Sequence, residues 1–212
     1  MNQINYQKEL DKTITGLVAQ GCVPTLLLHA CCAPCSSYVL EYLSEYFRIT
    51  VLYYNPNISP RAEYDTRAEE LKRLIGEMTF KYPVNLIVGE YEPEIFYQMA
   101  KGMEELPEGG ERCFHCYEQR LSYTAKLAKE QGFDYFTTTL SISPLKNAAK
   151  LNEIGLTLEK ECGVPYLVSD FKKRNGYKRS VELSAEHNLY RQNYCGCIFS
   201  RNLSETLYRK GN

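Results

Sequence analysis

Residues 25–37 read Thr-Leu-Leu-Leu-His-Ala-Cys-Cys-Ala-Pro-Cys-Ser-Ser, an apolar run that ends in three cysteines and two serines. A short continuous apolar run bounded by turn formers reads as a strand buried on both faces. The strand is expected over residues 25–30, with Cys31, Cys32 and Cys35 at its carboxyl end. Ser36 and Ser37 are suited to cap the helix that follows.

Working outward, apolar spacing predicts an amphipathic helix over residues 5–20 and a second strand over 49–54, running into Asn55-Pro56-Asn57. Ser59-Pro60 opens another helix, with Pro60 at the first helical position, where its missing N–H costs nothing. A third strand is expected over 84–88 and a helix over 93–101. A turn-rich loop, 106–111, then leads into Cys113 and Cys116, with a helix beyond them. Strands over 135–140 and 165–168 alternate with helices near 147–161 and 180–187. This alternation predicts an α/β, Rossmann-like domain spanning residues 1–212, its mainly parallel sheet covered by helices on both faces. Open sheets of this kind bind ligands outside the carboxyl ends of their strands. Cys31, Cys32 and Asn55 all fall there.

Bulk properties narrow the function. Of 212 residues, 44% are hydrophobic and 24% charged, which excludes wholesale disorder, and a net charge of -1 excludes a uniformly basic coat. No run approaches the roughly 20 apolar residues of a membrane helix. The opening MNQINYQKELDK has no apolar secretory core, so a cytoplasmic, thiol-reducing setting is expected. Nine cysteines in that setting point to metal ligation or catalysis.

Seven of the nine fall into three groups. Cys113-Phe-His-Cys116 has the two-residue spacing that grips one metal from a single turn, a spacing shared with redox dithiols and zinc ribbons. Cys31 and Cys32 are adjacent, with Cys35 three residues on. Cys195-Gly-Cys197 can bind one metal or close a strained, easily reduced disulfide. Seven thiols exceed the four that close a structural zinc site and suit a four-cysteine cluster with thiols to spare. Cys22 and Cys162 stand apart as ordinary free thiols.

HACCAPCSSYVLEYL (29–43), YYNPNISPRAEYDTRAEELKRL (53–74), GERCFHCYEQRL (110–121), TTTLSISPLKN (137–147) and YCGCIFSR (194–201) together resemble the QueH-type epoxyqueuosine reductases. The resemblance covers about residues 26–201. It implies a cobalamin-independent oxidoreductase that removes the epoxide oxygen from epoxyqueuosine at the wobble position of a tRNA anticodon, the last step of queuosine synthesis. It implies a 4Fe–4S cluster and, in some members, an additional mononuclear iron. Cys31, Cys32, Cys113 and Cys116 become the expected cluster ligands, and Cys195 and Cys197 the redox-active pair or ligands to the second metal. Some members carry an acidic residue where this chain has Cys35. A thiolate there is a softer ligand and would alter any second metal's potential or occupancy.

His115, between two expected ligands and with a pKa naturally near neutrality, is the candidate proton donor; a solvent-facing position is the alternative. His29, in an apolar strand, reads as a core histidine. Asn55, Asn57, Glu63 and Arg67 are expected to line the pocket for the modified base, although Glu63 and Arg67 also have the four-residue spacing of a helical ion pair. Lys172, Lys173, Arg174 and Tyr177, in a basic run around Gly176, together with Arg191, are the expected tRNA contacts: cations for phosphate and a ring to stack on an unpaired base. A solvated charged face is the plain alternative. No nucleotide-binding G-x-G-x-x-G loop reveals an electron donor. An ATP-dependent tRNA-thiolating enzyme would need a glycine-rich phosphate loop after the first strand, where HACCAPCSS stands. A non-enzymatic zinc- or tRNA-binding module is the third reading.

Overall fold

A computed structural model describes residues 4–201. Four strands, β1 (Thr25–His29), β2 (Arg48–Tyr53), β3 (Asn85–Val88) and β4 (Tyr135–Thr138), form an all-parallel sheet in the order β3-β2-β1-β4. β1 is central and pairs with β2 on one side and β4 on the other. Side chains alternate across a strand, and the core divides accordingly. Leu26, Leu28, Ile49, Val51 and Tyr53 face one layer, while Leu27, Leu52 and Phe136 face the other.

The first layer holds α1 (Tyr6–Ala19), α2 (Ala33–Leu43) and α3 (Arg61–Glu77), with α7 (Gly176–Glu186) against α2. After α4 (Pro93–Ala100), the second layer is built from α5 (Glu111–Gln131) and α6 (Ala148–Cys162). α6 lies close over Tyr166: a methyl group on Gly155 would stand 2.3 Å from that ring. The expected α/β class, parallel sheet and two-sided helical cover are all present. Among the described residues no helix is long and apolar enough to cross a membrane.

Several local expectations are corrected. α2 begins at Ala33, inside the cysteine motif, with Cys32 at its N-cap; Ser36 and Ser37 sit within the helix and donate back to the carbonyls of Cys32 and Pro34. Pro60 is the N-cap of α3, outside its first turn. α5 starts before Cys113, so the CFHC motif is helical. The fifth strand reduces to one parallel bridge between Phe136 and Tyr166. β4 gives way at Thr139 to a 3₁₀ turn through Ile142, which carries the chain over the sheet's carboxyl edge.

Candidate metal and redox site

Buried polar groups must find partners, and at the carboxyl edge they tie three strands together. His29 bonds the Thr138 hydroxyl through Nδ1 at 2.9 Å and the Tyr54 carbonyl through Nε2 at 3.1 Å. Burial lowers its pKa to about 3, so it is the neutral core histidine expected. Asn55 is also fully buried; its Nδ2 donates to the Ala30 carbonyl at 2.9 Å. Its structural role is to join β2 to β1 beneath the cysteines.

On this platform the Cys31, Cys32 and Cys35 sulfurs converge, all within 4.8 Å of one another, the one such metal-ligating group among the described residues. Cys31 and Cys32 approach to 3.7 Å. Hydrogen bonds from Cys31 and Cys35 push the Cys32 thiol well below its ordinary pKa, as befits a sulfur at a helix start. Its partners are held protonated in turn, Cys31 up to about 11.

Cys31 and Cys35 open onto a cavity of about 440 Å³, whose wall also includes Arg67, Arg120, Lys146 and Cys195. Cys195-Gly196-Cys197 reaches it from the far end of the chain and is pinned to the start of α3. Arg67 Nη1 donates to the Cys195 carbonyl at 3.1 Å, and the Ser59 amide donates to the Gly196 carbonyl at 2.9 Å. Gly196 has φ +116°, and a methyl group there would stand 2.9 Å from Ile58, so the tight passage requires glycine. Lys146 Nζ donates to Cys195 Sγ at 2.9 Å. Burial opposes the lysine's charge, but Cys195 and Tyr117 outweigh it and hold the ammonium form. All nine cysteines are free thiols in this arrangement.

Cys113 and Cys116 occupy the first turns of α5. The Gly109 amide donates to Cys113 Sγ at 3.2 Å, and Cys116 is buried beside Cys197, which burial pushes up to about 12. His115 points elsewhere. Its side chain is 46% exposed, lies 3.4 Å from Glu118, and lines a separate cleft of about 550 Å³ with Lys150 and Glu153. The structure does not bring it to the cavity, because residues i and i+3 of a helix share a face that i+2 leaves.

Of the remaining expected contacts, Arg67 is 1% exposed, paired with Glu63 at 2.7 Å and on the cavity wall, while Asn57 is buried with its Oδ1 unpartnered. Glu63 also accepts from the Tyr190 hydroxyl at 3.1 Å. Tyr177 and Arg191 reach the cavity rim. The basic run is partly neutralised: Lys172 pairs with Asp170 at 2.7 Å and Arg174 with Asp11, leaving Lys173 exposed beside them. Sequence reasoning missed Arg120 and Lys146. Arg120 follows Cys116 by four residues and so shares its helix face, the one local signal available; Lys146 meets Cys195 only through the fold.

An all-parallel α/β sheet with thiols gathered at its carboxyl edge, under a cation-lined cavity, defines a thiol-based metal or redox protein of the α/β class. Residues 26–203 match the family model described as epoxyqueuosine reductase QueH. The chain is 46% identical to the epoxyqueuosine reductase QueH of Staphylococcus epidermidis over 93% of its own length and 85% of the relative's. Against that of Thermotoga maritima the identity is 37%, over 83% and 90%. The chain belongs to the QueH family. Among solved structures, the U34-tRNA thiolase NcsA from Methanococcus maripaludis with its [4Fe-4S] cluster overlaps at a TM-score of 0.48 and 10% identity, covering 95% of this chain and 72% of that one. An overlap that slight transfers nothing.

Proposed function

We propose that this chain reduces epoxyqueuosine to queuosine at the wobble position of tRNA in the cytoplasm, with electrons delivered by a separate donor. The observation that carries the reading is the convergence of Cys31, Cys32 and Cys35 at a cavity that also receives Cys195. Family membership supplies the substrate.

The donor set fits an iron–sulfur cluster: soft sulfurs, among them Cys32 with its pKa pushed down, and Arg67 and Arg120 buried alongside to offset an anionic centre. Cys31, Cys32, Cys113 and Cys116 would hold it, leaving Cys35 as a ligand for an additional iron. When bound, a 4Fe–4S cluster supplies electrons one at a time.

Converting an epoxide to an alkene breaks two C–O bonds, consumes two electrons and two protons, and releases water. The Cys195/Cys197 dithiol matches this balance, because closing to a disulfide yields two electrons and two protons. Arg67 fixes the Cys195 backbone, and Lys146 places an ammonium proton at the cavity beside Cys195 Sγ. That makes Lys146, in place of His115, the donor positioned to protonate the departing oxygen. Arg67 on the cavity wall, held by Glu63, would meet the base, and Tyr177 and Arg191 at the rim, with the exposed Lys173, would meet the anticodon loop. Asn57, buried with an unpartnered Oδ1, is a further candidate for the base. A wobble base already lies outside continuous duplex, so little unstacking energy is needed to present it.

The test is anaerobic turnover on epoxyqueuosine-containing tRNA with a chemical reductant, alongside iron and sulfide counts. A wobble nucleoside lighter by one oxygen is expected. Zinc without labile sulfide, and no product, would overturn the reading.

A further inference from the structure

Arg120 is a buried cation with no carboxylate partner among the described residues. It lies on α5 one turn beyond Cys116 and is 1% exposed. Its Nε donates to the Cys116 carbonyl at 3.0 Å and its Nη1 to Asn55 Oδ1 at 3.5 Å, whereas Nη2 has no acceptor among the described residues. The other buried arginines differ. Arg67, whose Nη2 is likewise unpartnered, has its charge offset by Glu63 at 2.7 Å, and Arg112 donates to the Met103, Glu104 and Leu106 carbonyls.

An uncompensated buried charge is strongly unfavourable. Burial opposes the Arg120 cation; the groups that favour it are led by three sulfurs, those of Cys116, Cys195 and Cys31, one from each cysteine group, followed by Tyr117. Arg120 also lines the cavity beside Cys31 and Cys195. Its fixed charge thus stands beside the place where the sulfurs gather, and an anionic sulfur centre there would offset that charge and offer an acceptor to the free donor.

We propose that Arg120 is a positioning residue that sets the reduction potential of that centre. A cluster's potential depends on local charge, hydrogen bonds to its sulfurs and burial. A fixed cation with a free N–H favours the more negative, reduced form and so raises the potential. This inference rests on the cluster reading above.

The test compares Arg120→Gln and Arg120→Lys with wild type, each reconstituted anaerobically, by iron and sulfide counting and a dye-mediated redox titration followed by electron paramagnetic resonance. The expected result is wild-type iron content in both, a potential shifted to more negative values in Arg120→Gln, and recovery of most of that shift in Arg120→Lys. A fully loaded Arg120→Gln chain titrating at the wild-type potential overturns the proposal. So does an equal shift in both variants, or failure of both to assemble the centre while folding normally by circular dichroism, since Arg120 would then serve assembly alone. A wild-type chain without labile sulfide overturns the cluster reading itself, and this proposal with it.

Discussion

The starts of α2 and α5 both carry cysteines in their first turns, yet they are built differently. α2 follows directly from β1, whose Leu26, Leu27 and Leu28 are fully buried and whose end is tied to β2 and β4 by His29 and Asn55. Its three sulfurs are consequently already gathered. α5 follows the loop around Pro107–Gly110, with Gly110 at its N-cap and a glycine amide on Cys113. A site held by a buried strand is preorganised; a site that follows a glycine loop must be drawn together by what binds it.

The largest effect that could break this contrast lies in the ligands. Cys32→Ser should abolish iron uptake and turnover, while Cys113→Ser should retain more iron on reconstitution, as read by iron analysis. Equal loss in both would mean that the two helix starts contribute alike. Next comes Lys146→Met, which should lower single-turnover rates by ~10² or more while leaving iron content unchanged. A normal rate would place the proton donor elsewhere.

A stability comparison sharpens the same point. Leu28→Ala, behind the α2 cysteines, should cost about 2–5 kcal/mol in denaturant unfolding, and Pro107→Ala, before α5, about 0.5 kcal/mol or less. Similar losses would show that the two helix starts are equally braced. The smallest effect is at the rim. Replacing Lys173 and Arg174 with alanine should reduce the salt dependence of tRNA binding by about 1–2 counterions. An unchanged slope would remove this loop from the interface.

The sheet was legible because β1 and β2 are made predominantly of apolar, β-branched or aromatic residues, as two-sided burial demands. The start of α5 was harder to read: Pro107, Gly109 and Gly110 mark a loop, and nothing local shows that the helix begins at Glu111, ahead of Cys113. Residues 165–168 look strand-like in composition, yet only one bridge forms, between Tyr166 and Phe136. At the site, the three cysteine groups stood out in the sequence. The Lys146–Cys195 contact spans 49 residues and the Arg174–Asp11 pair 163, distances over which spacing carries no information. For the same reason the basic run looked freer than it is.

The most direct measurement is single turnover on epoxyqueuosine-containing tRNA, scored by mass spectrometry of the wobble nucleoside, for Cys32→Ser and His115→Ala side by side. If the chemistry belongs to the strand-end cavity, His115→Ala converts its substrate as wild type does and Cys32→Ser forms no product. Product from Cys32→Ser, or its loss in a fully iron-loaded His115→Ala chain, would contradict that placement.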